Sequence, residues 1–256
     1  MQDYFDLTGR VAIVTGASGG LGLQMAAALG HQGAKLALVD MDDKALADAE
    51  AGLLKKGYEV LGCTCDVSKS DQVEDTVKAV VSHFGQVDIL VNNAGIGLGS
   101  PILEITDETW EKMLQVNING CMYFARACGR YMKERGYGRI INMGSIHSLV
   151  GNNASPRITP YATTKGALLM FTKSLATEWA KFGITVNAIG PSYFESKMTK
   201  QALDNEAFRQ SVETYCPMGR IGKEGELDTT VIYLASAASS FVTGQLINVD
   251  GGWTAI

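Results

Sequence analysis

The sequence predicts a single α/β domain on a doubly wound, seven-stranded parallel sheet, and three observations carry that prediction. Short apolar runs recur seven times along the 256 residues, helical segments separate them, and the first run opens directly into a glycine-rich turn. The runs are Val11 to Thr15, Lys35 to Val39, Glu59 to Cys63, Val87 to Val91, Arg139 to Met143, Thr185 to Ile189 and Leu246 to Val249. Strands alternating with helices imply a parallel sheet covered on both faces. Between them, Leu21 to Leu29, Asp71 to Phe84, Thr109 to Glu134 and Tyr161 to Phe182 space their apolar residues three and four apart, as a buried helix face requires. Pro191 to Gly222 is the least patterned stretch and reads as a helical lid or a substrate loop inserted before the last βα unit. No repeat, low-complexity tract or Pro-rich linker divides the chain. One domain over residues 1–256 is expected, with a cofactor half over about 1–150, a catalytic and substrate half over about 140–256, and a substrate loop over about 191–222.

Composition narrows the function classes. A chain that is 46% hydrophobic and 19% charged is neither disordered nor fibrous. The net charge is −5 and the Lys and Arg residues are scattered, so no patch is available to neutralise a phosphate backbone and no nucleic-acid partner is expected. Cys63, Cys65, Cys121, Cys128 and Cys216 are odd in number and lack paired zinc spacing, which reads as reduced thiols and no metal. Met1 to Arg10 carries acidic residues and no apolar stretch, so neither signal peptide nor anchor is expected. No run approaches the roughly 18 apolar residues of a membrane span. A cytoplasmic protein with no membrane partner is the expectation.

The glycine-rich turn is Thr15-Gly16-Ala17-Ser18-Gly19-Gly20-Leu21-Gly22. Glycines there admit a pyrophosphate to the backbone, and the following helix offers it unpaired N–H groups at the positive end of its dipole. The spacing Gly16, Gly20, Gly22 is not the usual G-x-G-x-x-G, so alone it is suggestive, with a ligand-free tight turn as the alternative. The second strand runs up to Asp40, 18 residues after Gly22, where a carboxylate would bond both hydroxyls of the adenosine ribose. The same carboxylate would repel a 2′-phosphate, and Met41, Asp42 and Asp43 supply no cation, which favours NAD over NADP. Otherwise Asp40 is a solvated loop acid or a helix N-cap. Cys65-Asp66-Val67 and Asn92-Asn93-Ala94-Gly95 follow strands three and four at carboxyl ends, where open α/β sheets bind ligands. Asp66 would accept from the adenine amino group; singly it reads as a cap or turn residue, and Asn92 and Asn93 as loop structure.

The sharpest constellation is Tyr161-Ala162-Thr163-Thr164-Lys165, with Ser145 at the end of the fifth strand. Four-residue spacing puts Tyr161 and Lys165 on one helix face. Carbonyl reduction needs a proton donor beside the hydride acceptor; a free phenol, ionising at about pH 10, is poorly matched to neutrality, and a fixed ammonium would stabilise its phenolate. Lys165 would also bond the nicotinamide ribose. Ser145 would hydrogen-bond the substrate oxygen, and Asn117 would hold a water joining Lys165 to solvent. Each has a plainer alternative: a helix-surface Tyr–Lys pair, a turn-capping Ser145, an Asn117 bonded to neighbouring backbone.

Taken in order, Thr15-Gly16-x-x-x-Gly20-x-Gly22, Asp40, Asp66, Asn92-Asn93-Ala94-Gly95, Asn117, Ser145, Tyr161-x-x-x-Lys165, Asn187-Ala188 and Asp250-Gly251-Gly252 resemble the short-chain dehydrogenases/reductases over nearly the whole chain. The resemblance implies a Rossmann-type fold and a tetrad of Asn117, Ser145, Tyr161 and Lys165 serving hydride transfer to or from nicotinamide, which with Asp40 gives NAD(H) as the expected cofactor. It places cofactor contacts at Gly16, Ser18, Gly19, Gly20, Leu21, Gly22, Asp40, Asp66, Val67, Asn93, Ala94, Gly95, Tyr161, Lys165, Pro191, Phe194 and Ser196. It also implies a homotetramer, or homodimer. Gly190 to Thr199, followed by Glu206-Ala207-Phe208, is similar to gluconate 5-dehydrogenases and related sugar-acid dehydrogenases, although these commonly carry arginine where this chain has Gly97-Leu98-Gly99. Arg157 would supply that cation and His147 would bond a hydroxyl, with Ser145, Tyr161, Ser192, Tyr193 and Met198 as further pocket walls; otherwise such loop residues are only solvated. Ser192 stands where the family usually has glycine after Pro191, and a left-handed backbone there would be strained. The expected activity is interconversion of a secondary alcohol and a ketone, a sugar acid or polyol first. The alternatives are a 3-oxoacyl thioester reductase, against which Gly19 and Asp40 argue, and a dehydrogenase of hydrophobic cyclic or steroid alcohols, for which Leu98, Leu149 and Met198 would form apolar walls. A dinucleotide-sensing protein without turnover would have no need of the complete tetrad.

Overall fold

Strict alternation within the apolar runs determines how the sheet is covered. In the computed structural model, which describes residues 3–151, 157–196, 199 and 202–256, β1 (Val11–Thr15) is buried at every position. Ala12 and Val14 face one layer with Leu36, Leu38, Ile89 and Val91, while Val11 and Ile13 face the other with Ala37, Val39 and Leu90. Side chains two apart share a face, so a strand buried on both sides must be apolar throughout. The sheet comprises β1, β2 (Lys35–Asp40), β3 (Val60–Thr64), β4 (Ile89–Asn92), β5 (Gly138–Met143), β6 (Ile184–Pro191) and β7 (Leu246–Val249). All are parallel, in the order β3-β2-β1-β4-β5-β6-β7. The order reverses between β1 and β4, which opens a crevice at their carboxyl ends.

The helices divide between the two faces. Met25 and Leu29 of α1 (Gly20–His31), Leu46 and Leu53 of α2 (Asp43–Lys55) share one layer. Val73 and Val77 of α3 (Ser70–Phe84) share the other. Asp42 caps α2 by accepting from Ala45 N, which makes it, and not Asp40, the N-cap of that helix.

The stretch expected as one helix over Thr109 to Glu134 is instead broken. Helix α4 (Asp107–Leu114) passes into a π-turn over Gln115–Asn119 before α5 (Gly120–Arg135). The wider turn adds a residue to the spiral, and the buried Asn117 sits in it with its side chain bonded to Ile96 and Thr164. Periodic apolar spacing alone does not register one inserted residue. After β5 and a short 3-10 turn over Ile146–Ser148, α6 (Thr159–Trp179) packs on the α3/α5 face through Leu175 and Ala176. The unpatterned stretch after Pro191 holds a helix, α7 (Glu206–Tyr215), capped by Asn205. Its Val212 and Phe208 pack with Ile146, Tyr193 and Trp253. Helix α8 (Asp228–Ala235) returns the chain to the α1 face, and Asp250 turns the carboxyl end by accepting from Gly252 N and Thr254 N, both at 2.9 Å.

The expected strand over Val87 to Val91 begins two residues late, at Ile89, although Asp88 N still donates to Val11 O and Asp88 O accepts from Arg139 N. Asp88 is fully buried; its Oδ2 accepts from Val11 N at 2.9 Å and from Gln86 Nε2, and its Oδ1 from Arg10 Nη1 at 3.1 Å. Removing the carboxylate would orphan a buried N–H at the start of β1. Asp88→Ala is expected to lower the unfolding free energy by about 2 to 3 kcal/mol, read from the urea midpoint at unchanged m-value.

Candidate active site

The crevice between β1 and β4 is floored by the glycine loop, and the residues after β4 brace it. Thr15 Oγ1 accepts from Asn93 N and Ala94 N, each at 3.0 Å, and Asn93 Nδ2 donates to Thr15 O and Gly16 O at 2.9 and 3.1 Å. Gly16 has a left-handed φ of 65°, and a Cβ on it would lie 2.9 Å from Ala94 Cα. A Cβ on Gly22 would lie 2.2 Å from Gly16 O, so that position admits no side chain. Among the described residues no side chain caps α1, which leaves its first-turn N–H groups and the positive end of its dipole to an anion. Asp40 stands at the carboxyl end of β2, its Oδ2 accepting from Ser18 N and its Oδ1 from Asp42 N, each at 3.1 Å.

The resulting cleft has a volume of about 290 Å³. Gly16, Ser18, Gly19, Gly20, Leu21 and Gly22 line it, with Asp40 at one end. Asn93, Ala94 and Gly95 form the side under β4; Pro191, Phe194 and Ser196 close it from β6 and beyond. Lys165 and Tyr161 stand at the far end. An uncapped helix start, a glycine floor and a carboxylate at the carboxyl end of β2 fit a nicotinamide dinucleotide. Two expected contacts are not among its walls. Asp66 Oδ1 is engaged by Ser68 N and Oγ at 2.9 and 2.7 Å, a local turn, and Val67 is buried against Gly120. The turn reading of Asp66 therefore describes its side chain.

At the far end, Lys165 is buried, and its Nζ donates to Met143 O at 2.6 Å and lies 5.5 Å from the centre of the Tyr161 ring. Pairing the ammonium with the last carbonyl of β5 ties the position of α6 to the sheet edge. Ser145 follows two residues after β5, with Oγ accepting from His147 N at 3.1 Å and its own N donating to Ser148 Oγ. Asn117 Oδ1 accepts from Ile96 N at 2.8 Å, and Nδ2 donates to Ile96 O and Thr164 Oγ1 at 2.9 and 3.0 Å. Its amide is thus occupied by neighbouring groups and joins the π-turn to α6 beside Lys165.

A second cavity, about 280 Å³, shares Ser145, Tyr161, Ser192 and Thr199 with the first. Leu98, Ile146, Ile158 and Phe208 make its apolar walls, and His147 and Tyr193 its aromatic ones. Burial pushes the pKa of His147 below 6.5, opposed by the contact of Nδ1 with Val150 O at 3.2 Å. Ser145, His147, Tyr161, Ser192 and Tyr193 are therefore brought together as expected. Arg157 is not: its side chain is exposed and off the cavity walls, and the residue contributes its carbonyl to Ser100 N at 2.9 Å. Met198 lies outside the described residues. The shared residues put a phenol and a hydroxyl where a bound alcohol would meet a dinucleotide.

Comparison with known proteins agrees with this arrangement. The family model described as enoyl-(acyl carrier protein) reductase matches residues 16–254. Gluconate 5-dehydrogenase of Gluconobacter oxydans (strain 621H) is 38% identical over 252 residues, covering 98% of this chain and 97% of that protein. The chain belongs to the short-chain dehydrogenase/reductase family. It is also 34% identical to 5-keto-D-gluconate 5-reductase of Escherichia coli (strain K12), over 98% of both chains. The crystal structure of a gluconate 5-dehydrogenase from Burkholderia cenocepacia J2315 in complex with NADP and tartrate superposes with a TM-score of 0.95 at 37% identity, covering 99% of this chain and 98% of that one.

Within the short-chain dehydrogenase/reductase frame, the serine after Pro191 causes no strain. No non-glycine residue among those described has a left-handed backbone, and Ser192 N continues the β6 edge by donating to Val249 O at 3.3 Å. Met143, Gly144 and Thr199 also line the cofactor cleft without having been anticipated. The first two were legible as flanks of Ser145 at a strand end; Thr199 is held by its hydrogen bonds to Phe194 O and Ser196, which only the fold reveals.

Proposed function

We propose that this protein is an NAD-dependent dehydrogenase that interconverts a secondary alcohol and its ketone, acting on a sugar acid or polyol as its gluconate-oxidising relatives do. The observation that carries the reading is the convergence of Ser145, Tyr161 and Lys165 where the two cavities join. Tyr161 Oη takes the proton from the substrate hydroxyl in oxidation and returns it in reduction. Lys165 stabilises the phenolate and bonds the nicotinamide ribose, while Ser145 Oγ donates to the substrate oxygen as charge develops there. Asn117 holds the π-turn beside Lys165. When bound, nicotinamide supplies the hydride acceptor or donor. The apolar walls Leu98, Ile158 and Phe208 favour a second reading, oxidation of a hydrophobic cyclic or steroid alcohol. The gluconate 5-dehydrogenase activity of relatives favours the first.

Cofactor preference rests on Asp40. Its carboxylate would bond the ribose hydroxyls and repel a 2′-phosphate, and no Lys or Arg other than Lys165, at the nicotinamide end, lines the cleft among the described residues. With gluconate, NADH formation is expected to exceed NADPH formation by about 100-fold in kcat/KM, about 2.7 kcal/mol. Asp40→Asn should narrow that ratio to within about tenfold. Equal rates in the unaltered enzyme would overturn the cofactor assignment, and absence of any rate with gluconate would overturn the sugar-acid reading.

The first 150 or so residues are read as the cofactor half, with the stretch after Pro191 closing the substrate side. Five unpaired cysteines support a reducing, cytoplasmic setting. Among the described residues no helix is long and apolar enough to cross a membrane. A homotetramer, or homodimer, is supported by fully exposed Leu103 and Phe241 and by Met170 on the outer side of α6. Light scattering at micromolar concentration should give a multiple of the 27.4 kDa chain mass.

A further inference from the structure

His147 is the one imidazole of the substrate cavity, and its surroundings fix which nitrogen carries the proton. The residue is 8% exposed, its ring edge-on to Tyr161 and Tyr193 with ring centres 6.5 and 6.2 Å away. Nδ1 faces Val150 O at 3.2 Å. A carbonyl oxygen only accepts, so Nδ1 bears the hydrogen and Nε2 is left as an acceptor. Tyr161 and Tyr193 are the titratable side chains whose rings face it, and burial among them keeps the imidazole neutral at pH 7.

Its position relative to the reacting oxygen follows from Ser145. His147 N donates to Ser145 Oγ, so the ring leaves the backbone two residues beyond the hydroxyl that would hold the substrate oxygen. The ring stands beside Tyr161 on the side away from the cofactor cleft, whose lining does not include it. Leu98, Ile146, Ile158 and Phe208 are the apolar walls of this cavity, and Ser192, Tyr193 and Thr199 its other polar ones beyond Ser145 and Tyr161. Of these side chains only the imidazole, with Nε2, presents an acceptor that carries no hydrogen of its own, and a substrate that brings a donor at the carbon next to the reacting one satisfies it. A carboxylate there would set acceptor against acceptor, and no Lys or Arg lines this cavity among the described residues.

We propose that His147 is the specificity-determining residue of this pocket, with Nε2 accepting a hydrogen bond from a hydroxyl vicinal to the reacting carbinol, so that the enzyme selects vicinal diols. The inference rests on the dehydrogenase reading above and goes further by defining the substrate's second functional group. Sugar acids and polyols that satisfy it present a free hydroxyl, and not their carboxylate, next to the oxidised carbon.

The test compares hexane-3,4-diol with hexan-3-ol, which differ by that hydroxyl alone, using NAD with the unaltered enzyme, His147→Leu and His147→Gln. The unaltered enzyme is expected to prefer the diol by at least about 30-fold in kcat/KM. In His147→Leu the two alcohols should come within about threefold of each other, through loss of diol turnover with hexan-3-ol turnover retained. His147→Gln, whose Oε1 can accept, should recover a large part of the preference. Fluorescence titration with NADH shows that both variants keep a folded cofactor site. An equal drop for both alcohols in His147→Leu, or an unchanged ratio, overturns the assignment, since a purely structural histidine moves both rates together. Oxidation of hexan-3-ol as fast as the diol by the unaltered enzyme overturns this inference while leaving the dehydrogenase reading standing. Oxidation of neither alcohol nor gluconate overturns that reading as well.

Discussion

Replacing Tyr161 by phenylalanine is expected to lower kcat by about 10³-fold while NADH affinity stays within about threefold. The change deletes one oxygen atom and nothing else of the ring. The ring stands where the two cavities meet and packs against His147, so its apolar contacts and the shape of both cavities survive the substitution. What is lost is the only phenol shared by the two cavities among the described residues. In the proposed mechanism the alcohol proton would then lack its acceptor, and the loss would fall on the chemical step, lowering kcat and kcat/KM together. Stopped-flow NADH binding and steady-state rates separate the outcomes. Retained turnover would exclude Tyr161 as the acid–base group. Loss of NADH binding with a lowered melting temperature would make the phenol a structural element instead.

The parts of this molecule that were legible from sequence are those whose chemistry repeats locally. All seven strands fall on the apolar runs: the inner five are buried because they are covered on both faces, whereas the edge strands β3 and β7 are only partly buried. The glycine loop was legible because Gly16 and Gly22 fill spaces that no side chain can enter. Tyr161 and Lys165 were legible because one helical turn joins them. What escaped the sequence depends on long-range partners. The π-turn at Gln115–Asn119 forms around bonds from Asn117 to Ile96 and Thr164, residues 21 and 47 positions away. Asp66 sits after a strand end, as a cofactor contact would, and Ser68 two residues on donates to its Oδ1, a local turn that the strand pattern does not announce. Arg157 is near Tyr161 in sequence, but chain direction between β5 and α6 carries its side chain outward, while its carbonyl pins Ser100. Proximity in sequence predicts the site only where a regular element fixes the direction of the side chain.

Lys165→Met is expected to lower kcat/KM for the alcohol by about 10³-fold and, unlike Tyr161→Phe, to raise the KM for NAD by about tenfold as well. One ammonium has two tasks in the proposed site. It would stabilise the phenolate of Tyr161, with Nζ 5.5 Å from the ring centre, and from the wall of the cleft it would reach a bound ribose. Methionine keeps the length and volume of the stem, so packing within α6 is little disturbed, and removing a buried charge offsets the cost of leaving Met143 O without its donor. The melting temperature should therefore stay within about 4 °C, a stability change on the order of 1 to 2 kcal/mol for a domain of this size. Lys165→Arg tests the geometry separately from the charge. Its planar fork cannot place one donor on Met143 O as the tetrahedral ammonium does, and less than about a tenth of the lost activity should return. Full activity in the arginine variant would mean that charge alone suffices. A methionine variant that loses stability but keeps both kcat and the KM for NAD would reduce Lys165 to a clamp between α6 and the end of β5, and the proton-transfer assignment would then have to rest on Tyr161 and Ser145 without it.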